Sequence, residues 1–253
     1  MQSLLYHRSV KVTVIGAGSW GTTVASVAAE AADVVLWARR SDLAEAINST
    51  GLNEDYLPGF PLPPGLRATA DLGAALDGAD VVVMGVPSHG FRRVLEEAGP
   101  DIDPRTPIIS LTKGLEAGSN MRMTQVVADV LPEHDPAGIG VLTGPNLARE
   151  VMEGQPAASV VSVPDEEIAT VLQSTFMTPA LRVYSNTDVI GCEMAGSLKN
   201  VMALAAGMAH GLEYGDNSMA TLITRALAEL SRLGRAMGGN PATFAGLAGM
   251  GDL

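Results

Sequence analysis

Apolar positions along this chain collect in short unbroken runs at 12–15, 33–37, 80–86, 107–111, 139–142, 157–163 and 181–184. Each run is too short for a helix and rich in β-branched residues, so each reads as a strand buried on both faces. Between them, 22–32, 71–76, 120–131 and 165–176 carry helical spacing, and Ser41 or Asp42 is placed to cap a further helix through Asn48. This strand–helix alternation predicts an α/β protein with a doubly wound, mostly parallel sheet. The stretch 51–66 breaks the rhythm, with Pro58, Pro61, Pro63 and Pro64. That proline density predicts irregular backbone, either a cleft-side lid or a stiff surface loop. After Asn186 the strand signals stop, and 188–210 and 217–237 are long helical patterns rich in Ala, Met and Leu. The expected organisation is an α/β domain over 1–187 followed by an all-helical domain over 188–253.

The first strand runs into Gly16-Ala17-Gly18-Ser19-Trp20-Gly21, the spacing G-x-G-x-x-G between a strand and a helix. Gly16 would permit the tight turn, Gly18 the approach of a pyrophosphate to the backbone, and Gly21 close helix–strand packing, with the anion on free N–H groups of the helix's first turn. That context makes the sheet Rossmann-type. An ordinary strand-to-helix turn is the bland alternative. At the end of the second strand, where an acidic residue would hold the ribose of NAD, the chain has Arg39 and Arg40. Two guanidinium groups suit a 2′-phosphate, so NADP(H) is favoured and NAD(H) stays open; a solvated arginine pair is the alternative.

Composition narrows the partners. The chain has 253 residues, with 28 acidic against 16 basic side chains and a net charge of −12. That balance argues against a nucleic-acid or anionic-membrane surface, while local lysines could still receive a phosphorylated small molecule. The single cysteine, Cys192, excludes an intramolecular disulfide and a cysteine-cluster metal site, and fits a reducing cytoplasm. Residues 1–9 lack the apolar core of a signal peptide, and no apolar run approaches the ~20 residues of a membrane span. A soluble, cytoplasmic protein is expected.

Candidate chemistry lies at strand ends and in the first long helix. Lys113 ends the fourth clear strand beside Gly114 and can point a compact charge into the cleft; an ordinary surface lysine is the alternative. The segment 143–150 reads as a turn into a helix start that offers N–H groups to an anion. His89, after the third strand, begins or precedes the next helix in a turn that would face the cleft, and reads as a polar loop residue rather than a catalyst. Lys199 stands among Ala195, Gly196, Met202 and Ala203. Partial desolvation of a lysine disfavours its charged form, which suits proton exchange; the alternative is a packed stem with its head in water.

Taken together, the glycine loop, Ser110-Leu111-Thr112-Lys113-Gly114, Gly144-Pro145-Asn146-Leu147-Ala148-Arg149-Glu150, Gly196-Ser197-Leu198-Lys199-Asn200-Val201, Leu222-Ile223-Thr224-Arg225-Ala226-Leu227 and Gly246-Leu247-Ala248-Gly249-Met250-Gly251-Asp252-Leu253 resemble the bacterial-type NAD(P)-dependent glycerol-3-phosphate dehydrogenases. The resemblance implies reversible hydride transfer between a nicotinamide cofactor and glycerol 3-phosphate or dihydroxyacetone phosphate, supplying glycerol 3-phosphate for phospholipid synthesis. It makes Gly16, Gly18, Ser19, Trp20, Gly21, Arg39, Arg40 and Ala148 cofactor residues, with Lys113 touching both cofactor and substrate. It adds Gly144, Asn146 and Asp252 to the substrate site and makes Lys199 the proton acceptor. No metal is implied, and a homodimer is allowed.

Two departures stand out. Leu147 replaces the phenylalanine usual in its motif, and the family continues beyond the position of Leu253 with a Ser-Arg-Asn segment, so a truncated chain is expected. A second reading is therefore a non-catalytic NAD(P)-binding fragment or sensor. A neighbouring enzymatic reading is a 3-hydroxyacyl-CoA or 6-phosphogluconate type of dehydrogenase.

Overall fold

The computed structural model describes residues 10–253; the reading of 1–9 concerns a stretch outside the described residues. In chain order the strands are β1 (Lys11–Ile15), β2 (Asp33–Trp37), β3 (Leu52–Asn53), β4 (Leu57–Pro61), β5 (Arg67–Thr69), β6 (Val81–Met84), β7 (Ile108–Ser110), β8 (Ile139–Thr143), β9 (Ala157–Ser162) and β10 (Leu181–Asn186). The helices are α1 (Ser19–Ala28), α2 (Ser41–Thr50), α3 (Leu72–Leu76), α4 (Ser88–Ala98), α5 (Met123–Val130), α6 (Ala148–Met152), α7 (Glu166–Phe176), α8 (Val189–Gly211), α9 (Asp216–Ala236) and α10 (Pro241–Phe244).

Eight strands form one sheet in the order β10-β9-β8-β7-β6-β1-β2-β5. Every pairing in it is parallel except β8 with β9, which is antiparallel. The sheet is therefore mostly parallel, as expected. Successive β1 residues face opposite sides, so Val12 and Val14 pack with Val24, Ala25 and Leu36 on one face. Ile15 packs with Val35, Met84, Phe91 and Leu95 on the other. Both faces are covered by helices, which is why the strand sequences are nearly all apolar.

The connections change direction between β1 and β6. From β1 the chain moves towards β2 and β5; from β6 it moves towards β7 and β8. A crevice opens at the carboxyl ends of strands where such a reversal occurs, and ligands of open α/β sheets bind there.

Several boundaries differ from the sequence reading for identifiable reasons. The proline-rich 51–66 stretch contains an antiparallel ribbon, β3 with β4. It is separate from the main sheet, so Pro58 and Pro61, which cannot donate, interrupt no central ladder. β5 is a three-residue edge strand with too little periodicity to read; Arg67 donates to both carboxylate oxygens of Asp33 at 3.0 Å beside it. α1 begins at Ser19, because Gly18 already serves as its extended N-cap, and it ends at Ala28 rather than residue 32. α2 is preceded by Arg40, not by a capping Ser41 or Asp42. α5 starts at Met123 because Leu115 and Arg122 form a β-bridge and Asn120 sits at φ 57°, which holds the preceding residues out of the helix.

Beyond β10 the described chain contains helices and no further strand. Asp188 anchors the start of α8: it accepts from Gly191 N at 2.9 Å, Asn240 N at 2.8 Å and the Thr243 hydroxyl at 2.6 Å. A buried ion pair fixes α8 against the start of α5, with Arg122 Nη1 donating to Glu193 Oε2 at 2.6 Å. The Thr124 amide completes this site by donating to Glu193 Oε1 at 3.0 Å.

Candidate active site

At the carboxyl ends of β6, β1 and β2 lies a cleft of about 420 Å³. Its floor is the glycine loop with Gly85; its walls are Trp37, Arg39 and Arg40 from the end of β2, Tyr56 from the β3–β4 ribbon, and Pro87, His89 and Arg93 at the start of α4. The three motif glycines have distinct surroundings. Gly16 has φ 120°, and a Cβ there would lie 2.6 Å from the Gly85 carbonyl. A Cβ on Gly21 would lie 2.0 Å from the Gly16 carbonyl, so its absence allows α1 to press against β1. A Cβ on Gly18 would meet nothing within 4 Å, so the second glycine faces open space. No side chain caps α1 at Gly18, which leaves the first N–H groups of the helix directed into that space. An open backbone face, an uncapped helix start and arginines on the rim fit a dinucleotide pyrophosphate.

A second cluster stands at the tip of β7. Lys113 Nζ donates to the Gly144 carbonyl at 3.0 Å and to Asp252 Oδ2 at 2.6 Å. Lys199, on α8, donates to the other carboxylate oxygen of Asp252 at 2.5 Å and to its carbonyl at 3.0 Å. One carboxylate, with its side chain only 1% exposed, thus bridges two ammonium groups whose side chains are 23% and 25% exposed. Formal charge here sums to one positive, which favours an anionic ligand. Burial pushes the Lys113 pKa down from the ordinary lysine value, and the Asp252 carboxylate partly opposes this. Close approach of α8 depends on Gly196, where a Cβ would lie 2.8 Å from Thr143 Oγ1 and 3.6 Å from the Lys113 side chain. Ser197 ties the same helix to the strand tip by accepting from Gly114 N at 3.1 Å. Nearby, Asn146 donates to the Ser159 hydroxyl at 2.9 Å while its Oδ1 is buried without a partner.

The sequence pattern of the NAD-dependent glycerol-3-phosphate dehydrogenase N-terminus matches residues 11–169, and that of the corresponding C-terminus matches 188–253. The chain belongs to the glycerol-3-phosphate dehydrogenase family. Among its relatives, a glycerol-3-phosphate dehydrogenase [NAD(P)+] of Sphingopyxis alaskensis is 57% identical over 244 residues, covering 96% of this chain and 72% of the relative. One from Mycobacterium avium is 54% identical over 247 residues, or 97% of this chain and 72% of that one. Among solved structures, the glycerol-3-phosphate dehydrogenase of Coxiella burnetii superposes with a TM-score of 0.89 at 39% identity, covering 97% of this chain and 74% of that one.

Within this member of the glycerol-3-phosphate dehydrogenase family, the expected site residues divide by position. Gly16, Gly18, Arg39 and Arg40 line the cleft. Lys113, Gly144, Lys199 and Asp252 form one bonded cluster. Gly21 acts by packing, Ser19 donates its hydroxyl to the Tyr56 carbonyl at 2.5 Å, and Trp20 packs against the core of one sheet face. Ala148 begins α6, outside the lining of the cleft, and Leu147 before it is 65% exposed. Sequence reading missed Tyr56, Arg93, Ser197 and the Arg122–Glu193 pair. Ser197 stood inside the Gly196–Val201 motif without a role of its own, and Arg93 falls four residues after His89 on one helix face.

Proposed function

We propose that this chain catalyses reversible hydride transfer between NAD(P)H and dihydroxyacetone phosphate or sn-glycerol 3-phosphate, with Lys199 as the proton carrier and NADP(H) as the preferred cofactor. The observation that carries this reading is the Lys199–Asp252–Lys113 bridge, which puts two cations and one carboxylate at the carboxyl end of the sheet. The glycine loop, Arg39 and Arg40 would hold the cofactor. When bound, the nicotinamide supplies the acceptor or donor of hydride.

In reduction the Lys199 ammonium gives a proton to the developing alkoxide, leaving the neutral amine; in oxidation the neutral amine takes the proton of the C2 hydroxyl and becomes the ammonium. Lys113 places a fixed positive charge beside that oxygen and the phosphorylated substrate, stabilising charge that grows in the transition state. Asp252 holds both lysines at one point and retains acceptor capacity for a substrate hydroxyl. The unpartnered Asn146 Oδ1 supports a second hydroxyl contact beside Gly144. In this reading residues 1–187 carry the cofactor and 188–253 contribute the proton carrier. A homodimer is supported by the large apolar side chains that α8 and α9 leave exposed, Leu204, Met208, Ile223 and Leu233 among them. A cytoplasmic setting is supported by the single cysteine, Cys192, a free thiol.

The decisive assay follows NADPH oxidation on addition of dihydroxyacetone phosphate, with unphosphorylated dihydroxyacetone as control. Turnover with the phosphorylated ketone alone is expected. Equal turnover with both ketones would remove the anion-binding role given to the lysine cluster.

A further inference from the structure

Within the cleft, the arginines are not electrostatically equivalent. Arg40 is ion-paired with Asp55 and lies 3.5 Å from an Asp42 oxygen, so two carboxylates beside it compete with a ligand for its guanidinium. Arg39, its neighbour, has no ion pair or side-chain hydrogen bond among the described residues. Arg93, on α4, has one carboxylate partner, Glu97, at 4.0 Å; with side chains 65% and 59% exposed, that pair is screened and weak. The groups with the fewest competing carboxylates are therefore Arg39, after β2, and Arg93, on α4, both lining the cleft.

Arg93 reaches the cleft by helical geometry. Pro87 precedes the first turn of α4, and His89, Gly90, Arg93 and Val94 fall on the side that lines the cavity. Guanidinium groups from two elements lining one cleft suit a phosphomonoester, whose oxygens accept charge-assisted, bidentate bonds. A free ribose hydroxyl would gain little from two cations. In a chain of net charge −12, such a local cationic pair is also what allows a polyanionic nucleotide to approach.

We infer that Arg93 is a specificity-determining residue which, with Arg39, receives the 2′-phosphate of NADP(H), while Arg40, paired with Asp55 and Asp42, contributes less. The inference rests on the cofactor reading of this cleft. Calorimetric titration of the wild type, Arg93→Gln, Arg39→Gln and Arg40→Gln with NADPH and with NADH tests it. Arg93→Gln and Arg39→Gln should each weaken NADPH about tenfold or more and change NADH by less than about twofold, the loss of a charge-assisted contact to phosphate alone. Arg40→Gln should cost NADPH less than either. Adenosine 2′,5′-bisphosphate against 5′-AMP should reproduce the same contrast without a nicotinamide. An Arg93→Gln effect that is absent, or equal for NADPH and NADH, would overturn the assignment while leaving the cleft as a cofactor site. A wild type that binds neither cofactor would overturn the cleft reading itself. The exposed Arg93 side chain makes misfolding a poor explanation, and an unchanged melting temperature verifies that control.

Discussion

The cofactor cleft is assembled from residues 16–94, whereas the lysine cluster joins residues 113, 144, 199 and 252, which are distant along the chain. In the cleft, strand tips and two helix starts leave backbone and guanidinium groups facing open space. In the cluster, Lys113 and Lys199 already satisfy one another's surroundings through a single buried carboxylate. The first region is a preformed shape that recognises phosphate; the second is a balanced set of charges that a substrate must join. Locally built geometry tolerates changes elsewhere in the chain, while the cluster depends on how α8 and the loop before Leu253 are held against the sheet.

That contrast can be broken most directly at Lys199. Lys199→Ala should lower kcat by about 10²- to 10⁴-fold, the usual worth of a positioned general acid–base, while leaving the Kd for NADPH nearly unchanged. A comparable rise in the cofactor Kd, measured by calorimetry, would show that the two regions are one. Next in size is the brace behind the cluster. Glu193→Ala strands the Arg122 guanidinium in a buried site and should cost about 3–5 kcal/mol of stability, read from denaturant unfolding. An unfolding midpoint equal to wild type would mean the pair does not hold α8.

Gly196→Ala sharpens the comparison further. A methyl group 2.8 Å from the Thr143 hydroxyl must push α8 away from β8, costing about 1–3 kcal/mol by overpacking. Because Lys199 rides on the same helix, kcat should fall about tenfold or more, with NADPH affinity held. The smallest effect is expected in a pH profile. Burial lowers the Lys113 pKa, so its positive charge is lost at lower pH than that of an exposed lysine. The KM for dihydroxyacetone phosphate should therefore climb as pH rises towards that lowered pKa. Lys113→Arg keeps its charge and should move this climb to higher pH; identical profiles for the two proteins would detach Lys113 from the substrate phosphate.

Much of the sheet was legible because its strands are continuous apolar runs, and buried parallel strands require that pattern. The glycine loop was equally plain, since Gly16 and Gly21 answer local steric demands and Gly18 leaves the backbone open to a ligand, at a spacing few other sequences carry. β5 and the β3–β4 ribbon were not legible: β5 has three residues, and the ribbon's prolines obscure its pairing. The site was half visible. Lys113 and Lys199 could be named as candidates from their neighbours, yet nothing in their spacing announced that Asp252 would sit between them.

By itself, the order of residues determined the element types, the phosphate-binding turn and the cationic end of β2, because each depends on interactions among residues close along the chain. Only the tertiary structure decided that Arg40 is paired with Asp55 while Arg39 and Arg93 face one cleft, and that one carboxylate joins two lysines. Those relations depend on Coulombic and steric contacts between residues 15 to 139 positions apart. Distance along the chain carries no record of such contacts until the sheet and α8 bring the segments together.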